Sequence, residues 1–340
     1  MNRKTISVVV PTYNEQGNIR EVYNRVKKVF ADHLGNYRFE LLFEDNDSTD
    51  HTRMEIEQLC REDHRVKAVF NAKNFGFTRS TYYALLQATG DAAVLMYADM
   101  QDPPETIPAF VRKWEEGYLV ITGIKASSRE NPLMTRIRKL YYGILKRICE
   151  VEHIGSYNGF GLYDRCFLDV LRGMKDPYPY FRGIVAELAP KRCEVEYAHQ
   201  LRQHGKTHMD FLKLYDVAMA GITSYSKAAM RLATLLGGVM GCGSVVIALV
   251  TLVKKLLYWD SFPIGNAAIL IGVFAIGAVQ LFFTGLIGEY IVSISIRTMG
   301  HPLVVEEKRL NFQDDPVSES LRMQQRKESE RASYKDNHTL

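Results

Sequence analysis

From residue 5 to about residue 120, short apolar runs alternate with stretches in which apolar residues recur every three or four positions. The runs are ISVVV at 6–10, FELLF at 39–43, VKAVF at 66–70 and AAVLMY at 92–97, and the helical patterns between them cover 19–30, 52–59 and 79–88. Alternating strand and helix patterns predict a mostly parallel sheet flanked by helices, an α/β fold. In such sheets ligands bind beyond the carboxyl ends of the strands. The polar clusters that stop each run are therefore the first place to look for chemistry.

Residues 121–205 are mixed in pattern, with a basic helical stretch at 135–147 and an aromatic, proline-containing stretch at 177–182. Two longer runs follow: 232–253 is 22 residues without a charge, and 262–288 is 27 more. Each is long enough to cross a hydrocarbon core of roughly 30 Å at about 1.5 Å per helical residue. Only 254–261 separates them, so a tight transmembrane helical hairpin is expected. Lys206, Lys213, Lys227 and Arg231 precede the hairpin and Arg297, Lys308 and Arg309 follow it, against Lys254 and Lys255 between the runs. The balance places both flanks in the cytoplasm. Glu289, just past the second run, is either a functional group near a bilayer or an interfacial helix end. The amphipathic stretch 209–231 suits the membrane interface, and packing of the same face on the soluble part is the alternative.

Composition narrows the class. The 340 residues are 46% hydrophobic and 24% charged, enough for a globular domain and something smaller. A net charge of +4, with no Lys/Arg block interleaved with aromatics, argues against nucleic acid as a partner. Five scattered cysteines without a C-x-x-C pair suit neither a disulfide framework nor zinc, and point to a reducing cytoplasm. No basic-then-apolar leader opens the sequence, so a cytoplasmic N-terminus is expected. The expected division is a catalytic domain at 1–208, an interfacial helix at 209–231, a hairpin at 232–296 and a tail at 297–340, largely disordered at its end.

Three polar clusters close the runs. After the first stands Pro11-Thr12-Tyr13-Asn14-Glu15, an aromatic and a carboxylate able to stack on a base and hold a ribose or base edge. After the second comes Glu44-Asp45-Asn46-Asp47-Ser48-Thr49-Asp50, in which helix capping accounts for residues 48–50 and leaves Asp45 without a role. After the fourth comes Tyr97-Ala98-Asp99-Met100-Gln101-Asp102-Pro103-Pro104-Glu105, where Asp99 and Gln101 present oxygen ligands suited to Mg²⁺ or Mn²⁺.

The order and spacing of these clusters resemble family-2 glycosyltransferases of the GT-A fold. Within them the chain resembles dolichol-phosphate mannose synthase and, more closely, the bacterial polyprenyl-phosphate (bactoprenol) glucosyltransferases. The resemblance runs over about 5–310 and includes Asn74-Phe75-Gly76, Gly161-Leu162-Tyr163-Asp164 and Gly288-Glu289-Tyr290. It implies that Pro11, Tyr13, Glu15 and Asp45 line a nucleotide site, and that Asp99 with Gln101 holds a metal against the diphosphate. Arg202, Lys206 and Thr207 match a basic loop that in the family closes over the phosphates. Asp99, Arg202 and Lys206 are the implied catalytic groups, with Lys125 as a further cation.

The implied reaction is an inverting transfer of a sugar, UDP-hexose by preference, to a polyprenyl phosphate at the cytoplasmic face of a bacterial inner membrane. Partners are then the nucleotide sugar, the polyprenyl phosphate and membrane lipids, and a homo-oligomer is compatible with the sequence. The competing readings are a non-catalytic nucleotide-sugar or lipid-phosphate binding protein and a membrane scaffold.

The departures from the pattern are specific. Asp45-Asn46-Asp47-Ser48 stands where Asp-Asp-Gly-Ser is common, Tyr97-Ala98-Asp99 where Asp-Ala-Asp is common, and Asn158-Gly159-Phe160-Gly161-Leu162 where Gly-Asp-Phe-Arg-Leu is common. His199 and His208 take positions where relatives tend to have Arg and Lys; they are pH-sensitive phosphate contacts or plain surface histidines.

Overall fold

The computed structural model describes residues 3–126, 155, 157–174, 176–198, 239, 242, 243, 246, 250, 253, 257 and 266–312. The basic loop with Arg202, Lys206 and Thr207, the stretch 209–231, His199, His208 and the tail from 313 lie outside the described residues.

The predicted rhythm is realised as β1 (Thr5–Thr12), α1 (Ile19–His33), β2 (Arg38–Asp45), α2 (Thr52–Glu62), β3 (Val66–Asn71), α3 (Phe77–Leu86) and β4 (Ala92–Leu95). A 3₁₀ turn at Pro104–Thr106 leads into α4 (Ile107–Glu115) and β5 (Val120–Lys125). Then come β6 (Gly161–Asp164), α5 (Arg165–Gly173), α6 (Phe181–Leu188), β7 (Arg192–Tyr197), α7 (Asn266–Thr298) and β8 (Glu306–Leu310). One sheet takes all eight strands in the order β7-β5-β6-β4-β1-β2-β3-β8. Pairings β1·β2, β1·β4, β2·β3 and β5·β7 are parallel; β6 and β8 run against their neighbours. This is the GT-A-like, mostly parallel α/β arrangement that the resemblance implies.

Alternation along each strand sends successive side chains to opposite faces. Ile6, Val8 and Val10 of β1 join Leu41, Phe43, Ala68, Phe70 and Val94 under α1, α2 and α4. Val9, Leu42, Val69 and Leu95 face the other way, under α3, α5 and α6. In α1, Ile19, Val22, Tyr23, Val26, Val29 and Phe30 are buried, a spacing of three and four that lays one stripe on the sheet. Asp164 joins two helices: one oxygen caps α5 by accepting the Cys166 N–H at 2.8 Å, and the other accepts Trp114 Nε1 of α4 at 2.7 Å.

The eighth strand comes from residues that the sequence groups with the tail. β8 covers the edge of β3, which would otherwise expose unpaired backbone groups. Arg79 of α3 donates to the Leu303 carbonyl at 2.7 Å and to the Pro302 carbonyl at 2.6 Å. Asn311 donates from one amide to the Cys60 and Val66 carbonyls, at 2.7 and 2.8 Å.

Of the expected hairpin, the second helix is present as α7, 33 residues long. Its segment Val279–Thr298 is, by length and composition, long and apolar enough to cross a membrane, with mean hydropathy 1.6. α7 runs ten residues past the apolar run, so Glu289 sits inside the helix and not at its end. The first helix lies mostly outside the described residues; Val239, Val246, Val250 and Val253 within it are helical and exposed, as is Leu257 beyond it. At about 1.5 Å per residue α7 is about 50 Å long, well beyond the roughly 30 Å of a hydrocarbon core.

Two buried glutamates on β2 show how this core treats charge. Glu40 loses hydration, but the Lys67 ammonium at 2.7 Å and hydrogen bonds from Ser7 and Thr89 outweigh that loss and hold its carboxyl below the usual range. Glu44 is wholly buried and, among the described residues, receives the Ser80 hydroxyl and the Asn71 amide, each at 2.5 Å. Burial pushes its carboxyl up to about 7, helped by the neighbouring Asp45 and Glu306. A carboxyl raised in the folded state adds stability fully at pH below its unfolded value and loses it as pH climbs toward 7. A shift of this size corresponds to a swing of about 3 kcal/mol.

In Glu44→Gln the amide oxygen can accept from Asn71 while the NH₂ donates to the Ser80 oxygen, so the neutral form is kept at every pH. We expect the thermal midpoint of Glu44→Gln to exceed that of the unaltered protein at pH 8 and to match it near pH 4.5. An equal change at both pH values would remove Glu44 as the source of the pH dependence.

Candidate functional site

Because β1, β2, β3, β4, β5 and β7 point the same way, their carboxyl ends share one edge of the sheet. The amino-terminal ends of the reversed strands β6 and β8 reach that edge too, with Glu306 opposite Asn71. Pro11, Tyr13, Glu15, Asp45, Asp99, Gln101 and Lys125 therefore all lie along it. The sequence-predicted residues from the first half of the chain share this edge of the sheet; Arg202, Lys206 and Thr207 are not among the described residues.

The loops after β1 and β2 are tied to each other by side chains. Thr12 pairs with Asp45 at the strand ends, and the Asn46 N–H donates to the Thr12 carbonyl at 3.0 Å. Beyond them the Asn14 N–H donates to Ser48 Oγ at 2.9 Å, the Glu15 N–H to Thr52 Oγ1 at 2.9 Å, and the Thr49 N–H to Asn14 Oδ1 at 2.8 Å. Asn14 and Asp47 take φ of 56° and 64°, the left-handed region that Asn and Asp enter more readily than other side chains. Asp47 thus occupies the backbone position that the common Asp-Asp-Gly-Ser pattern gives to glycine. The exchange keeps the turn.

Asp45 is fully buried at the end of β2. Ser48 donates to it twice, from its hydroxyl at 2.5 Å and its N–H at 3.1 Å, and Arg53 Nε lies 3.5 Å away. Burial raises its carboxyl above the usual range in spite of those partners. Asn46 extends the network sideways. Its carbonyl accepts the Phe75 N–H at 2.9 Å and its amide donates to Asn74 at 3.0 Å, so the Asn74-Phe75-Gly76 turn is registered against the same edge.

After β4 the chain turns sharply. Met100 has φ 59°, and the Gln101 N–H donates to Asp99 Oδ1 at 3.2 Å, so Asp99 and Gln101 flank one turn. Asp102 is 1% exposed and is used structurally: it accepts Asn158 Nδ2 at 2.8 Å and the Tyr197 hydroxyl at 2.5 Å. Sequence reasoning gave it no role, although its place before two prolines marks a fixed turn. Among the described residues, no three Asp, Glu, His or Cys side chains converge as a metal cage would require. The oxygen donors beside this turn suit a hard cation that keeps water and phosphate ligands.

Tyr97 replaces a carboxylate with a packed ring. Its ring lies 5.5 Å from that of Phe77, and its hydroxyl donates to the Asn158 carbonyl at 2.9 Å. A Cβ on Gly159, whose φ is 113°, would lie 2.9 Å from that hydroxyl. A Cβ on Gly161 would lie 2.3 Å from the Ile121 carbonyl, so that position excludes any side chain where β6 meets β5. The departures at 97 and 159 are therefore two sides of one contact: the tyrosine fills space that a residue at 159 would take. Restoring aspartate at 97 alone would leave a hole beside Phe77 and the Asn158 carbonyl without its donor.

A family model described as "Glycosyl transferase family 2" matches residues 7–172, which contain all three strand-end clusters. The uncharacterized glycosyltransferase YkcC of Bacillus subtilis is 31% identical over 310 residues, covering 91% of this chain and 95% of its own. The prophage bactoprenol glucosyl transferase homolog of Escherichia coli is 28% identical over 298 residues, covering 87% of this chain and 96% of its own. A solved structure of glucosyl-3-phosphoglycerate synthase from Mycobacterium tuberculosis, in complex with Mn²⁺, UDP and glucosyl-3-phosphoglycerate, matches 65% of this chain and 78% of that one at 17% identity and a TM-score of 0.48. That likeness is too distant to bear on the chemistry. The strand-end clusters and the near full-length relatives agree, and the chain belongs to glycosyl transferase family 2.

Proposed function

We propose that this protein transfers a sugar, with UDP-hexose as donor, to a polyprenyl phosphate at the cytoplasmic face of a membrane. The observation that carries the reading is the shared edge: Tyr13, Glu15, Asp45, Asp99 and Gln101 stand at the carboxyl ends of parallel strands, and the strand that follows a membrane-length helix starts at that same edge. The full-length similarity to bactoprenol glucosyl transferases supports the choice of acceptor.

In this reading Tyr13 offers a ring to the base, and Glu15 and Asp45 accept from ribose or base. Asp99 and Gln101 hold Mg²⁺ or Mn²⁺, which supplies positive charge beside the donor diphosphate. Lys125, Arg202 and Lys206 add cationic charge, and Thr207 a hydroxyl, toward the same phosphates. The acceptor is a phosphate monoester with a second pKa of about 6, largely ionised at neutral pH, so its oxygen attacks without a strong general base. The protein's work is to align that oxygen behind the anomeric carbon and to stabilise the departing diphosphate. A single in-line displacement inverts the linkage.

The test is release of UDP from UDP-sugars with and without polyprenyl phosphate. Acceptor-dependent release supports the transferase, whereas binding without release would make the protein a nucleotide-sugar binder. Asp99→Asn should lower transfer by at least about a hundredfold, a loss typical of removing an electrostatic stabiliser, with little change in thermal midpoint. Mn²⁺ should bind more tightly in calorimetry when UDP is present, since each supplies ligands or charge for the other. Near-normal turnover of Asp99→Asn, together with no effect of UDP on Mn²⁺ affinity, would overturn the metal assignment.

The membrane arrangement has its own check. In a background without native cysteines, Asp260→Cys should react with an impermeant maleimide from outside intact cells, and Ser320→Cys should react only after permeabilisation. The opposite pattern would reverse the orientation.

A further inference from the structure

The segment that follows α7 does more than cover an edge. Arg79 holds the carbonyls of Pro302 and Leu303, and the Ala72 N–H donates to the Val305 carbonyl at 2.9 Å, which fixes where β8 enters the sheet. Two residues on, Glu307 accepts from Arg53 at 2.6 Å. The same guanidinium has its Nε 3.5 Å from Asp45, lies within 4.0 Å of Asp47, and sits 5.1 Å over the Phe70 ring. One cation from the start of α2 is thus shared between a buried carboxylate at the candidate nucleotide edge and a carboxylate contributed by the strand after the membrane-length helix.

The distances decide what the sharing does. The contact to Glu307 is a short, charge-assisted hydrogen bond, whereas the approach to Asp45 is longer, and Asp45 takes its own hydrogen bonds from Ser48. Arg53 therefore supplies positive charge near Asp45 while both carboxylate oxygens keep their hydrogen bonds from Ser48. Glu307 is the carboxylate at hydrogen-bond distance, and Asp45 and Asp47 are the more distant ones. With a neutral residue at 307, the guanidinium has one strong partner fewer and closes on Asp45, competing with the incoming donor group.

We infer that Glu307, which lies outside the stretch matched by the family model, is a positioning residue for nucleotide binding and acts through Arg53. The inference rests on the reading of Asp45 as a nucleotide contact. It makes the strand after α7 part of the donor site as well as part of the sheet.

The experiment is a double-mutant cycle on the full-length protein, read as the Kd for UDP in the presence of Mn²⁺. Glu307→Gln should weaken UDP binding about three- to fivefold, the scale of a partly exposed charge contact, and raise KM for the donor with kcat little changed. In an Arg53→Gln background the same Glu307→Gln change should have no effect, and Glu307→Asp should restore part of the affinity. A merely structural role would lower the thermal midpoint and leave Kd unchanged, or would weaken binding equally in both backgrounds; either result overturns the inference. Failure of the unaltered protein to bind UDP would instead overturn the nucleotide-site reading itself, and this proposal with it.

Discussion

Parallel pairing is the constraint on which the rest of the molecule depends. Once β1 is paired in parallel with β2 on one side and β4 on the other, the residues that end each strand come out at one edge whatever their identity. Pro11, Asp45 and Asp99 are separated by tens of positions in sequence, yet strand direction alone makes them neighbours along that edge. The cost is that both faces of these strands must be covered, which is why the central strands are apolar and why buried carboxylates at their ends need partners. Ser48 serves Asp45, Lys67 serves Glu40, and Ser80 with Asn71 serves Glu44.

The fold was legible where period and length agreed. ISVVV, FELLF and VKAVF became strands in place, and the helical stripes became α1, α2 and α3 within a few residues at each end. β8 was not legible, because Glu306–Leu310 carries charges at most positions and reads as solvated tail. It is a strand because the edge of β3 offers backbone partners, and an edge strand exposed on one side tolerates charge. Apolar character stops near 288, but the backbone hydrogen bonding of α7 runs on to Thr298, close to the 296 at which the expected hairpin ends.

The candidate site was legible as clusters and not as contacts. Nothing in the spacing of Asn14, Ser48 and Thr52 announces that side chains of one loop hold the backbone of the other, since those hydrogen bonds cross more than thirty residues of sequence. The substitutions at Tyr97 and Gly159 looked like two independent losses of polar chemistry. In three dimensions they share one space, with the ring and hydroxyl of Tyr97 filling what glycine leaves open. Asp47 in place of glycine has a simpler cause in its backbone angle.

The hold of the post-helix segment on the domain is written largely in backbone atoms. Arg79 grips the carbonyl oxygens of residues 302 and 303, and Asn311 grips those of 60 and 66; every residue type carries such an oxygen. The chain between α7 and β8 can therefore drift in sequence over evolutionary time without loosening the joint, provided that the arginine and the asparagine stay. A lineage is free to exchange the helix that precedes this joint for one of different composition and still deliver the following strand to the same register.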